Sequence, residues 1–275
     1  PMMDVIVSNM SQWHWFVAIG VGCCAGFIKG VVGFAMPMVF IAGLSLIVPP
    51  ELALAGLILP TVIINIWQAF AQGRAAAWRS VKRFRLFLIT GLVCVLISAQ
   101  LASVLPDMLF LGSLGGLIVC FSLLQLCGLG LPVMRVGPKA SIIFGSIAGL
   151  LGGVSGIWGP PIVAYLTALN TNKIEQMRVQ GVIYGLGAVA LVVAHIGSGI
   201  LTLATAQFSA LLVLPAALGM WLGVQIQTRI DQTLFRRVTL LVLLLMGLVF
   251  PMMDVIVSNM SQWHWFVAIG VGCCA

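Results

Sequence analysis

Residues 22–37 read GCCAGFIKGVVGFAMP and residues 145–160 read GSIAGLLGGVSGIWGP. Laid over each other at an offset of 123 residues, they agree at seven of sixteen positions. Gly22, Ala25, Gly26, Gly30, Val31, Gly33 and Pro37 align with Gly145, Ala148, Gly149, Gly153, Val154, Gly156 and Pro160. Each copy is followed by three long apolar segments, so the architecture repeats along with the motif. Glycines four apart lie on one helical face and let another backbone approach closely. The residues that follow differ in kind. Gly33 with Pro37, and Gly156 with Gly159, Pro160 and Pro161, are expected to unwind a helix inside an apolar stretch, and unwound backbone at that depth needs a polar cavity or a cover of protein.

The rest of the chain sets the solvent. Of 275 residues, 61% are hydrophobic and 7% charged, against about 25% charge in a soluble domain, and the mean hydropathy is +1.19. Crossing hydrocarbon takes about 20 mostly apolar residues. Segments 52–73, 86–105, 108–131, 179–200, 206–228 and 234–250 meet that need, while 13–48 and 140–170 are interrupted by glycine and proline. No alternation of apolar and polar residues suggests a barrel, so the backbone is expected to satisfy itself as helices. The expected fold is an all-α polytopic integral membrane bundle of six long spans plus two Gly/Pro-broken hairpins. Residues 2–131 form a first repeat, 132–139 a cytoplasmic linker and 140–251 a second repeat. Residues 251–275 copy 1–25 letter for letter and read as an artefact.

Twelve of the 13 Lys and Arg residues fall into four loops. These are Arg74, Arg79, Lys82, Arg83 and Arg85; Arg135 and Lys139; Lys173 and Arg178; and Arg229, Arg236 and Arg237. The positive-inside rule makes them cytoplasmic. Lys139 and Lys173 then share a side, so the segment between them goes in and returns. The 123-residue offset carries the basic stretch 74–85 onto the uncharged turn at 197–208, which gives the halves opposite orientation. Such an inverted repeat is a frequent transporter plan, with the solute near the midplane where broken helices meet. The +7 formal charge therefore reports membrane orientation and not nucleic acid. Cys23, Cys24, Cys94, Cys120 and Cys127 lack metal or disulfide spacing and read as buried small hydrophobes.

A helix restarting after a break points unpaired N–H groups and the positive end of its dipole into the gap, which favours an anion. Lys29, the one basic residue outside the four loops, sits in the first broken segment near its expected centre, where a charge is costly and usually functional. It either attracts an anion or snorkels or pairs with a carboxylate. Candidate substrate-binding residues are Lys29, Gly30, Gly33, Pro37, Asn65, Gln68, Gly153, Ser155, Gly156, Trp158, Gly159, Pro160, Pro161 and Tyr184. Asn65 and Gln68 share a helix face and serve the site or bond between helices. His195 is read as an interfacial histidine. No nucleotide loop, HExxH, paired carboxylates or local Ser/His/Asp set occurs. No catalytic residue, metal or cofactor is expected, and a gradient or a partner must supply any driving force.

GFIKGVVGFAMP followed by Pro49-Pro50-Glu51-Leu52-Ala53, and GLLGGVSGIWGPP followed by the Glu175–Arg178 stretch, resemble the sulfite exporter TauE/SafE family over nearly the whole chain. Lys29 stands where the family usually has a small residue, and Phe34, Ala35 and Met36 replace further glycines. The resemblance implies a multi-pass carrier in the bacterial inner membrane for a sulfur-containing or organic anion such as sulfite or a sulfonate. The alternative is a membrane assembly component or an intramembrane enzyme. Expected partners are the small anion, the lipid bilayer, a coupling proton or sodium ion and a second copy of the chain in a homo-oligomer.

Overall fold

The computed structural model of the protein describes residues 10–98, 116, 118–120, 122–128, 137–155, 159–197 and 202–249. Every regular element among them is an α-helix. These are α1 Gln12–Val32, α2 Met36–Leu44, α3 Pro50–Phe70, α4 Arg74–Arg83, α5 Arg85–Ser98, α6 Pro138–Ser155, α7 Gly159–Ala168, α8 Lys173–Gly197, α9 Leu203–Arg229 and α10 Gln232–Val249. Further helical residues lie between 116 and 126. Four helices, α1, α9, α10 and α3 from Leu52 onward, are long and apolar enough to cross a membrane. Outward residues such as Leu211, Leu214, Leu218 and Trp221 of α9 expose hydrocarbon, the surface that a lipid solvent favours.

Three of the six expected long segments, 52–73, 206–228 and 234–250, are among these four. Segment 86–105 is described only to Ser98, and 108–131 lies largely outside the described residues. Segment 179–200 belongs to a longer helix that starts at Lys173. The fourth candidate, α1, runs 21 residues without a break. Its glycines do not interrupt it because the backbone of α9 fills the space each one leaves. Gly22 meets Leu212 and Pro215, Gly26 meets Ala216, and Gly30 meets Met220 and Gly223. Positions rise together along both helices, so α1 and α9 run parallel. The same geometry recurs between α5 and α6, where Gly145 meets Phe87 and Thr90, and Gly149 meets Gly91 and Cys94. α3 and α8 run antiparallel, with Gly181 on Gln68 and Ala69, and Gly185 on Asn65.

The expected break comes at Gly33, which caps α1 in the left-handed region at φ 88° and returns its N–H to the Lys29 carbonyl. That is the usual glycine helix stop. Ala35 also adopts a positive φ of 73°, at a cost of about 1–2 kcal/mol for a residue with a Cβ. Pro37 then sits in the first turn of α2, where its missing N–H removes no bond. Gly43 of α2 meets Val21 of α1, so α2 folds back along α1. In the second broken segment Tyr165 of α7 stacks on Phe144 of α6 and lies 3.1 Å from the Ser141 hydroxyl. That pair is also a hairpin; its hinge, 156–158, lies outside the described residues.

Two expectations need correction. The basic loop at 74–85 is mostly α4, a helix because Ala76, Ala77 and Ser80 give it a small buried face while Arg74, Trp78, Arg79 and Lys82 stay exposed. Lys173 and Arg178 are likewise helical, in the first turns of α8, and Arg236 and Arg237 belong to α10. Cys24, Cys120 and Cys127 are exposed rather than buried, since a thiol is apolar enough to face hydrocarbon.

These basic segments meet at one end of the bundle. Arg83 pairs with Glu175 at 2.7 Å, Arg178 donates to Ser80 at 2.7 Å, and Lys173 donates to the Gln227 carbonyl at 3.1 Å near the end of α9.

The glycine seams carry a testable cost. A Cβ on Gly26 would collide with the Ala216 backbone, which cannot rotate away, whereas one on Gly20 meets nothing within 4 Å. Gly26→Ala is expected to lose about 1–3 kcal/mol by overpacking, and Gly20→Ala to change stability by no more than about 1 kcal/mol. Thermal unfolding in detergent measures both.

Candidate functional site

The first break places Lys29 in the last turn of α1 rather than near the middle of a span. The side chain is 1% exposed. Its ammonium donates to the Gly33 carbonyl at 3.2 Å and stands 5.2 Å from the centre of the Tyr184 ring. Gln68, from the last turn of α3, donates to the same carbonyl at 3.1 Å and to the Met177 carbonyl at 2.7 Å. The acceptor released where α1 ends is therefore capped by two side chains from different helices. A cation on an aromatic face is attracted to it by about 0.5–2 kcal/mol, more when water is excluded.

Tyr184 joins this cluster to the second hairpin. Its hydroxyl donates to the Gly159 carbonyl at 3.1 Å, on the first residue of α7. One ring thus touches the first tip with its face and the second with its hydroxyl. α8 also supplies Gln180, 0% exposed, whose amide lies so close to Gly33 that a side chain there would collide with it.

Among the described residues, both amide atoms of Gln180, Asn65 Oδ1 and Gln68 Oε1 have no hydrogen-bond partner, nor has Thr61 Oγ1 further along α3. Each unmet buried group costs about 1–3 kcal/mol. Among the described residues no carboxylate reaches Lys29, because Glu175 is engaged by Arg83 and lies 4.0 Å from Arg178. In the first turn of α2, Pro37 has no N–H and the Met38 and Val39 N–H groups bond to the Ala35 carbonyl at 3.1 Å. The cluster is therefore buried and donor-bearing, with Lys29 as its basic group. Among the described residues no group of three or more His, Cys, Asp or Glu is placed to hold a metal.

Lys29, Gly33, Gln68, Tyr184 and Gly159 thus come together, and Asn65 lies on the same face of α3 one turn away. Gly30 instead faces α9 in the glycine seam. Pro37 and Pro161 occupy the first turns of α2 and α7, as does Pro160, whose side-chain surroundings lie outside the described residues. Gly153 and Ser155 end α6 with surroundings equally outside them, and Gly156 and Trp158 fall outside altogether, as does the His195 side chain. Sequence reasoning missed Met177 and Gln180. The spacing of Gln176, Gln180 and Tyr184, one turn apart, was the signal available for Gln180. Met177 acts through its backbone carbonyl and left no such trace.

The cluster connects toward the basic end through α3. Gln68 is one turn from Gln72, whose amide oxygen accepts from Arg178.

The family model described as Sulfite exporter TauE/SafE matches residues 18–250. No curated protein and no solved structure matches the chain.

Two substitutions weigh these bonds. Gln68→Leu strips donors from two buried carbonyls and is expected to destabilise by about 2–3 kcal/mol, while Tyr184→Phe loses one hydrogen bond and about 1 kcal/mol. Thermal unfolding of the purified protein should rank them in that order.

Proposed function

The chain belongs to the sulfite exporter TauE/SafE family of membrane transporters, and on that footing we propose that it is a secondary carrier for a small sulfur-containing or organic anion, such as sulfite or a sulfonate, in a bacterial inner membrane. The observation that carries this reading is the buried Lys29 ammonium. It has an aromatic face and one carbonyl for company, and no carboxylate among the described residues. A charge in hydrocarbon without a counter-ion is costly. An anionic substrate is the counter-ion that offsets that cost.

Lys29 supplies the attraction in this reading, and Gln180, whose amide oxygen lies against Gly33, supplies a directional donor through Nε2. Tyr184 holds the lysine from below and fixes the distance to Gly159. Gly153, Ser155, Gly156, Trp158, Pro160, Pro161 and Pro37 remain candidate substrate-binding residues, with Asn65 and Gln68 contributed by α3.

An inverted repeat is supported by which helices are paired. α1 lies parallel to α9 and α6 parallel to α5, and the 123-residue offset carries α1 onto α6 and α5 onto α9. Each half therefore lends its glycine-rich helix to the other half. The hairpins would enter from opposite ends. α1 runs toward the basic end with α9, whereas the second hairpin returns to that end, where Gln232 donates to the Thr171 carbonyl at 3.1 Å. Exchange of access around the tips would move the anion, driven by a proton or sodium gradient, with a homo-oligomer as the working assembly.

Counterflow of labelled sulfite into proteoliposomes tests the reading. Lys29→Gln and Lys29→Ala are expected to cut flux and sulfite affinity by about tenfold or more, the equivalent of 1.4 kcal/mol. Wild-type flux and affinity in both variants would sink the electrostatic role of Lys29. A panel in which no anion moves would favour the assembly component or an intramembrane enzyme using Lys29 and His195.

A further inference from the structure

The face of α8 that looks at the hairpin tips does not end there. It continues toward the basic end as a polar stripe of Tyr184, Gln180, Gln176 and Lys173, each one turn, or about 5–6 Å, from the next. Gln180 is 0% and Gln176 3% exposed, and Nε2 of each lacks an acceptor. α9 contributes a third such amide. Gln227 is 5% exposed with an unpartnered Nε2, and lies one turn beyond Gly223, which packs on Gly30 and Val31 near the end of α1. Its carbonyl accepts from Lys173 Nζ at 3.1 Å.

Gln180 and Gln176 therefore lie along α8 between Tyr184, whose ring faces Lys29, and Lys173, and Gln227 stands on α9 where its carbonyl accepts from Lys173. Structural glutamines in an apolar bundle normally bond across helices, as Gln68 does to Gly33 and Met177. Among the described residues these three nitrogens have no acceptor, and the Gln180 amide oxygen has no donor. The nitrogens are hydrogen-bond donors, and the one acid adjacent in sequence, Glu175, is turned to Arg83 and Arg178. Donors in a row with no carboxylate suit a species that carries only acceptors.

We infer that a small oxyanion passes between the hairpin tips and the basic end of the bundle along this row, handed from Gln180 to Gln176 and Gln227 and released at Lys173. The inference rests on the anion-carrier reading and adds its route. The amides exchange the anion because neutral donors hold it less firmly than a lysine would, so no stage traps it.

The experiment separates route from site. Sulfite flux in proteoliposomes and sulfite binding in detergent are measured for Gln176→Leu and Gln227→Leu in the full chain. The expected result is a fall in flux of about tenfold or more, because an apolar side chain of similar size removes the donor, with sulfite affinity kept within about threefold. Unchanged flux in both variants overturns the route while leaving the site intact. If the unmodified chain neither binds nor moves sulfite, the site reading fails and the route with it. Should the leucine variants not fold, Gln176→Cys in a background with the other cysteines replaced by serine gives the second readout. A membrane-impermeant thiol reagent that reaches residue 176 from the basic face supports the route, and an unreactive thiol in the folded protein overturns it.

Discussion

A helix that stops among buried side chains leaves a carbonyl with no water to accept from, and at Gly33 this protein meets that constraint with two side chains. Lys29 reaches forward from the same helix and Gln68 reaches across from α3, both to one oxygen. Much else is arranged to make that possible. α3 must pass within hydrogen-bond range of the tip, which its contact with α8 at Gly181 and Gly185 fixes. Lys29 must be buried to reach Gly33, and burial denies it a solvent shell. The cap of the break and the charge in the pocket are therefore the same group.

The glycine seams set where that group lies. Without hydrophobic attraction between helices in lipid, close backbone contact is a main source of association, and α1 and α9 interlock through Gly22, Gly26, Gly30, Gly219 and Gly223. The interlocking fixes the height of α1 and hence of Lys29. At the basic end a different chemistry holds α4 to α8, through Arg83 with Glu175 and Arg178 with Ser80. Lys173 meanwhile places a cation on the carbonyls of Gln227 and Ile230 at the end of α9, as the helix dipole favours.

The helical class and the position of the first break were legible because composition and the Gly33/Pro37 pair act locally. So was the role of Gly22, Gly26 and Gly30 as a face for another backbone. That the partner is α9 was not, because the two helices lie far apart in the chain. The helical state of α4 was hidden, since positive charge was taken as loop although Ala75, Ala76 and Ala77 favour a helix. Lys29, Gln68 and Tyr184 could be picked out because polar residues are rare in apolar segments. Their convergence on Gly33 and Gly159 could not, being set by three helices far apart in the chain. Gln180 escaped notice through its ordinary place in a polar helix start.

Tyr184 has a mechanical consequence. Its ring is bound to one tip and its hydroxyl to the other, while its backbone belongs to a third helix. A rigid phenol has no joint between ring and hydroxyl, so a tilt that follows one tip must loosen its hold on the other. Each hold is worth about 1 kcal/mol, little more than thermal energy. The residue therefore ties the position of one tip to that of the other.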